Sequence, residues 1–211
     1  MWNRLRYTIW APAYDVVARA AGFDAARRLS IARLQLAPAN RVLIVGAGTG
    51  LDLNFLPSNV QVTAIDVTPA MLKQLERRAA RAGRSVTTHI MDARHLAFAD
   101  AAFDAVVMHL ILAVMPQPDR GLREAVRVLK PGGRIGVFDK FLADHERPSL
   151  KRRLLNAFAK PLFSDLNRRL APLIAGTPLV VEHDEAVAFG GAYRVVTLLN
   201  TQIASRSRDG A

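Results

Sequence analysis

With 211 residues the chain has the length of one ordinary domain, and two independent catalytic domains are not expected. Half of it is hydrophobic (51%) and 22% is charged, which provides a core and excludes global disorder. The absence of cysteine excludes disulfide scaffolds, thiolate zinc sites and cysteine nucleophiles. The formal net charge of +11 is unevenly spread: residues 1–41 carry +5, 42–144 only +2, 145–170 another +5 and 171–211 −1. A broad anion-attracting surface is therefore expected on the flanks of the central fold. Apolar runs such as 105–108 and 110–116 fall far short of the roughly 18 residues of a spanning helix, and no signal-like segment opens the chain.

In chain order, Trp2, Leu5, Ile9 and Trp10 come first, at helical spacing with Arg4 and Arg6 between them. This amphipathic pattern suits either a membrane interface or packing over a cleft. Arg41–Val45 is a short β-branched run ending in glycines, the pattern of a strand buried on both faces. Residues 60–66, 85–91, 105–109 and 134–140 repeat the strand signal, with helical stretches between them. Pro69 can open the first of these after Thr68 as cap, with Met71, Leu72 and Leu75 as its apolar face. A helix over 119–129 is followed by Lys130-Pro131-Gly132-Gly133, read as a stop and turn. Such alternation predicts an α/β fold, a parallel sheet covered by helices on both faces. A helical, basic insert (149–174) follows, with Leu150, Leu154, Phe158 and Leu162 on one stripe and Lys151, Arg152, Arg153 and Lys160 off it. Two further strands, 179–182 and 193–199, are joined by a loop with Gly190 and Gly191 and suit a closing antiparallel pair.

The chemistry begins at Val45-Gly46-Ala47-Gly48-Thr49-Gly50, directly after the first strand. Glycines there let the backbone come close to a ligand at the carboxyl ends of the strands. The G-x-G-x-G spacing differs from the G-x-G-x-x-G of dinucleotide binding, which counts against a nicotinamide or flavin enzyme. Asp66 ends the second strand, 20 residues after Gly46, where a carboxylate can accept two ribose hydroxyls. Asp92 and Ala93 end the third strand, beside the place of a nucleoside base.

Together with Phe103-Asp104 and Leu129-Lys130-Pro131-Gly132-Gly133, these motifs resemble the class I S-adenosylmethionine-dependent methyltransferases over roughly residues 38–140. The resemblance implies a Rossmann-like sheet of seven strands with the last antiparallel. It also implies S-adenosylmethionine as cofactor, S-adenosylhomocysteine as product, and no metal. By the same resemblance Gly46, Ala47, Gly48 and Gly50 face the methionine part, Asp66 and Val67 the ribose, and Asp92 and Ala93 the adenine. His109 and Leu110 would line the cleft near the transferable methyl. The whole chain then reads as one methyltransferase domain: a helical cap (1–37), a cofactor-binding core (38–140), a basic helical insert (145–175) and a closing strand pair (179–200). One departure stands out. The family's acidic residue two positions before the first glycine is Ile44 here, and Asp52 is the nearby carboxylate that can serve the cofactor ammonium instead.

The Y-x-x-W-A-P-x-Y-D segment at Tyr7, Trp10, Tyr14 and Asp15 resembles the opening of bacterial phospholipid N-methyltransferases and of quinone-ring C-methyltransferases. The phospholipid enzymes are the closer likeness through Asp139-Lys140-Phe141 and the basic insert, which implies N-methylation of phosphatidylethanolamine. C-methylation of a quinone precursor, or another small acceptor, is the alternative. For an amine acceptor His109, Asp139 and Tyr14 are the candidate catalytic groups. Tyr7, Tyr14 and Tyr193 would offer aromatic faces to a cationic head group, and Lys140 and Arg194 would hold a phosphate. The expected partners are the phospholipid and an anionic membrane surface, with the protein cytoplasmic and peripheral at the inner face. A nucleic-acid role is suggested only by the charge, and neither an N-P-P-Y-type motif nor a nucleic-acid module supports it.

Overall fold

Val42, Leu43, Ile44 and Val45 are each 1% exposed or less, so Arg41–Val45 (β1) must lie in the middle of a sheet with both faces covered. The computed structural model describes residues 23–142 and 168–202. Trp2 to Asp15, the stripe from Leu150 to Leu162 and Lys151 to Arg153 lie outside the described residues. Strand β1 pairs in parallel with β2 (Gln61–Asp66) on one side and β4 (Phe103–His109) on the other. Strand β3 (Val86–Ile90) continues from β2, and β5 (Leu129–Lys140) from β4, both in parallel. Strand β7 (Tyr193–Asn200) runs antiparallel between β5 and the edge strand β6 (Leu179–Ala188), giving the order β3-β2-β1-β4-β5-β7-β6. This is a Rossmann-like sheet of seven strands, as the sequence motifs imply.

Strand alternation divides the core in two. Val42, Ile44, Ala105 and Val107 pack with Ile31 and Leu34 at the end of helix α1 (Phe23–Ala32) and with Leu75 and Ala79 of α2 (Pro69–Arg81). Leu43, Val45, Val106 and Met108 pack on the other face with Leu122 and Ala125 of α3 (Pro118–Val128) and with Leu170, before the short helix α4 (Ala171–Ile174). Pro69 takes the first turn of α2, and Met71, Leu72 and Leu75 are buried. Thr68 holds the cap position but makes no side-chain cap bond. Its amide donates instead to Asp66, which ties the start of α2 to the end of β2.

The structure corrects two boundaries. Lys130 to Gly133 does not separate α3 from β5, because pairing with β4 already begins at Leu129 and continues past a register shift between Phe103 and Ala105. Gly133 permits this: a Cβ there would sit 2.8 Å from the Asp104 carbonyl oxygen. The Lys130 ammonium, 2.6 Å from the Asp104 carboxylate, fixes the same bend. Strand β6, in turn, extends to Ala188 and not to residue 182. Its polar half is held by ion pairs, Arg134 to Glu182, Arg194 to Asp184 and Arg33 to Glu185. Charged side chains along an edge strand also discourage pairing with other chains.

Gly133→Ala should lower stability by about 1–3 kcal/mol, since the carbonyl it meets belongs to a paired strand and cannot swing away. Urea unfolding followed by circular dichroism measures this, and Gly176→Ala, whose added methyl meets nothing within 4 Å, tests in the same assay the cost of a left-handed glycine alone.

Candidate active site

Where β1 ends, the chain turns so that the Ala47 amide donates to the Ile65 carbonyl at 2.9 Å and the Gly48 amide to Asp66 Oδ2 at 3.0 Å. Gly48 has φ +53° and nothing within 4 Å of the place a Cβ would take, so its backbone is laid open to a cavity. Gly46 is closed on its other side by Ile111, whose Cδ1 would lie 2.6 Å from an added Cβ. The cavity, of about 120 Å³, is lined by residues 46–49, Leu51, Asp52, Asp66, His109 and Leu110. A second of about 470 Å³ lies between Asp66, Met91 to Arg94 and Val114 to Pro116. The two share Gly46, Asp66, Val67, Thr68, Ile111 and Val114, and so form one cleft along the carboxyl ends of β1 to β4. That is where open α/β sheets take their ligands.

Asp66 stands at the junction of the two cavities. Burial pushes its carboxyl up, and hydrogen bonds from Thr68, Gly48 and Val67 pull against this. Asp92 faces the larger cavity but is forked by Arg94, with Nη2 to Oδ2 at 2.6 Å, and is held down to about 2 by that bond. The opposite wall is the loop after β4. Leu110 adopts φ +57°, a strained conformation for leucine, fixed by its amide bond to the Phe138 carbonyl at 2.7 Å. Asp139, 1% exposed, receives the Ala113 amide on Oδ2 at 3.0 Å and the Lys140 amide on Oδ1 at 2.7 Å. The Arg168 guanidinium donates to the Leu112 carbonyl.

His109 ends β4 with its side chain fully buried. Its Nδ1 lies 2.7 Å from Asp52 Oδ1 and its Nε2 lies 2.9 Å from Ser30 Oγ of α1. The same Asp52 oxygen receives Arg27 Nη1 at 2.5 Å. Burial alone would push the Asp52 carboxyl up, but Arg27 and His109 pull it well below the ordinary carboxylate range. Beyond Leu110, Tyr193 packs among Phe23, Phe138 and Phe189, with ring centroids 4.8, 5.9 and 5.4 Å from it. The Lys140 ammonium lies over the Tyr193 ring, 5.6 Å from its centroid. Burial depresses the Lys140 pKa against the pull of Asp139, and burial with the Asp139 charge pushes Tyr193 up to about 12.

The methyltransferase domain family matches residues 43–137. A phosphatidylethanolamine N-methyltransferase of Cereibacter sphaeroides is 30% identical over 172 residues, 81% of this chain and 84% of that protein. A demethylmenaquinone methyltransferase of Tropheryma whipplei is 33% identical over 187 residues, 87% of this chain and 72% of that protein. The chain belongs to the class I S-adenosylmethionine-dependent methyltransferases. Among solved structures, the geranyl diphosphate C-methyltransferase of Streptomyces coelicolor superposes with a TM-score of 0.70, over 83% of this chain and 75% of that one. At 15% identity that likeness is one of fold.

The cleft of this methyltransferase fits its cofactor, S-adenosylmethionine: Gly48 offers an open cradle that a side chain would fill, and Asp66 presents a carboxylate at the centre. Gly46, Ala47, Gly48, Asp66, Val67, His109 and Leu110 all line the smaller cavity, and Asp92 and Ala93 the larger. Gly50 lies behind the loop against Leu75. Two catalytic candidates are engaged by their surroundings. Both ring nitrogens of His109 have side-chain partners, Asp52 and Ser30, and each oxygen of Asp139 receives a backbone amide. Arg194 is paired with Asp184 at 2.6 Å, on the face of β7 opposite Tyr193. Tyr7 and Tyr14 lie outside the described residues. Sequence reasoning missed Arg27, Ser30, Arg94 and Arg168. Only the first two carried a signal, two polar residues three apart among Phe23, Ala26 and Ile31 on the buried face of α1.

Asp66→Ala should weaken S-adenosylhomocysteine binding by about 1.5–3 kcal/mol, because the ribose hydroxyls lose a charged acceptor and the Gly48 amide its partner. Calorimetric titration reads this directly, and unchanged affinity would remove Asp66 from the site.

Proposed function

We propose that this methyltransferase acts on an apolar, membrane-borne acceptor and that the acceptor is a ring carbon of a quinone precursor in its reduced, phenolic form. The observation that carries this reading is the Lys140 ammonium over the Tyr193 ring at the end of β5. An aromatic face that would hold a cationic head group already has a cation on it. Transfer to a neutral amine nitrogen would leave an ammonium beside Lys140, whereas transfer to a ring carbon, followed by proton loss, leaves a neutral product. A phenolic hydroxyl near Lys140 is made more acidic by the ammonium, and the ring carbon becomes the better nucleophile. The similarity to a demethylmenaquinone methyltransferase supports the same reading.

When bound, S-adenosylmethionine supplies an activated methyl that an acceptor can take by in-line displacement. The chain's own part is to hold the partners at attack distance and keep water out. Asp66 and the Gly48 backbone fix one side, and the strained Leu110, backed by Phe138 and the Asp139 latch, fixes the other. N-methylation of phosphatidylethanolamine is the second reading, favoured by a relative whose match spans most of both chains and by Lys140 as a partner for phosphate. Either acceptor lives in a bilayer. The charge of the segments 1–41 and 145–170, +5 each, supports peripheral attachment to anionic lipid. Among the described residues no helix is long and apolar enough to cross a membrane.

Incubation with methyl-labelled cofactor and either a reduced demethylated quinone or phosphatidylethanolamine in mixed micelles separates the two readings. Label is expected in the quinone, with Lys140→Met at least about tenfold slower and S-adenosylhomocysteine affinity within about twofold of the parent. Label in mono-, di- and trimethylated phosphatidylethanolamine alone would promote the second reading. Co-sedimentation with anionic vesicles should fall when Lys151, Arg152 and Arg153 are replaced by Ala, and should fade with salt as charges are screened over about 8 Å.

A further inference from the structure

Position 44, two residues before Gly46, carries no carboxylate: Ile44 is 1% exposed and packed within the core beneath β1. If the amino-acid end of the cofactor lies beside the glycine turn, as the family resemblance implies, it would bring an ammonium group into this part of the cleft. The turn Leu51–Asn54, which follows Gly50 directly, carries Asp52 into the wall of the same cavity as residues 46–49. Asp52 Oδ1 is committed twice, to Arg27 Nη1 and to His109 Nδ1, while among the described residues no hydrogen bond falls on Oδ2. Arg27 and Ser30 stand three residues apart on α1, so a single helix holds both the Asp52 carboxylate and, through Ser30 Oγ, the far side of the His109 ring. The Arg27 guanidinium pins Asp52 in its charged form. A buried ion pair is a weak source of stability. Beside a ligand cavity, a carboxylate with one oxygen anchored and the other unbonded is arranged for binding.

We propose that Asp52, backed by Arg27 and His109, accepts the α-ammonium group of the cofactor in place of the acidic residue absent at position 44. This rests on the cofactor being S-adenosylmethionine. Asp52 is then a binding residue on the turn after the glycine loop, and Arg27, His109 and Ser30 are positioning residues that keep one of its oxygens turned to the cleft. The Arg27–Asp52 couple also places a cation beside an anion at the cavity wall, which complements a zwitterionic amino acid end.

The test uses the full chain and calorimetric titration with three probes: S-adenosylhomocysteine, its analogue without the α-amino group, and 5′-methylthioadenosine, which lacks the whole amino-acid end. The parent should bind S-adenosylhomocysteine about tenfold or more tighter than the deaminated analogue. Asp52→Asn should lose about ten- to hundredfold toward S-adenosylhomocysteine while its affinity for the other two changes by less than about twofold. Equal affinity of the parent for the aminated and deaminated probes would overturn the proposal without any variant, and so would a uniform loss across all three probes in Asp52→Asn. Failure of the parent to bind any probe would overturn the cofactor itself, a different result from loss of discrimination between them.

Discussion

The Gly48 amide bonded to Asp66 Oδ2 joins the ends of β1 and β2 at the point where the cleft opens, and the geometry of the site follows from it. Because β1 is parallel to both β2 and β4, its carboxyl end can only lead into a turn that faces the same edge as theirs. The bond sets how far that turn stands from the sheet. One oxygen of Asp66 receives Gly48 and the other Thr68, so a single carboxylate carries the glycine loop and the start of α2 while still lining both halves of the cleft.

Around that centre, the two walls are made from different materials. The wall next to α1 is ionic and fully buried, a chain of contacts from Arg27 through Asp52 and His109 to Ser30. Groups removed from water in this way keep their places only if each charge finds a partner, which is why Asp52 binds two of its neighbours through one oxygen. The wall beyond β4 is made of backbone held from behind, with Asp139 and Arg168 gripping a loop that contains a leucine at positive φ. Such a loop would relax if the latch were removed, so Asp139 shapes the cleft without facing it.

The corner beyond Leu110 is aromatic. Phe23, Phe138 and Phe189 pack around Tyr193, the Lys140 ammonium lies over the Tyr193 ring, and the oxygens of Asp139 receive the Ala113 and Lys140 amides. The proposed ring methylation suits this corner, since a phenolic acceptor becomes more negative on activation and would do so beside an ammonium.

The local order of the chain was sufficient to read the strand β1, the glycine turn, Asp66 and Asp92 at the ends of the next two strands, and the parallel architecture, because each depends on residues close in sequence: a buried apolar run, a turn needing glycine, a helix opened by Pro69. The edge strand β6 was half legible, since Glu182, Asp184 and Glu185 break its apolar pattern and are satisfied only by Arg134, Arg194 and Arg33 from elsewhere. The partners of His109, Asp139 and Arg194 were decided by the tertiary structure alone. His109 meets Asp52 across 57 residues and Ser30 across 79, and Asp139 meets Ala113 across 26. Periodicity and propensity are short-range quantities. Whether a histidine offers its nitrogens to a ligand or spends them on its neighbours depends on which distant side chains the fold delivers to it, and here α1 and the turn after Gly50 deliver both.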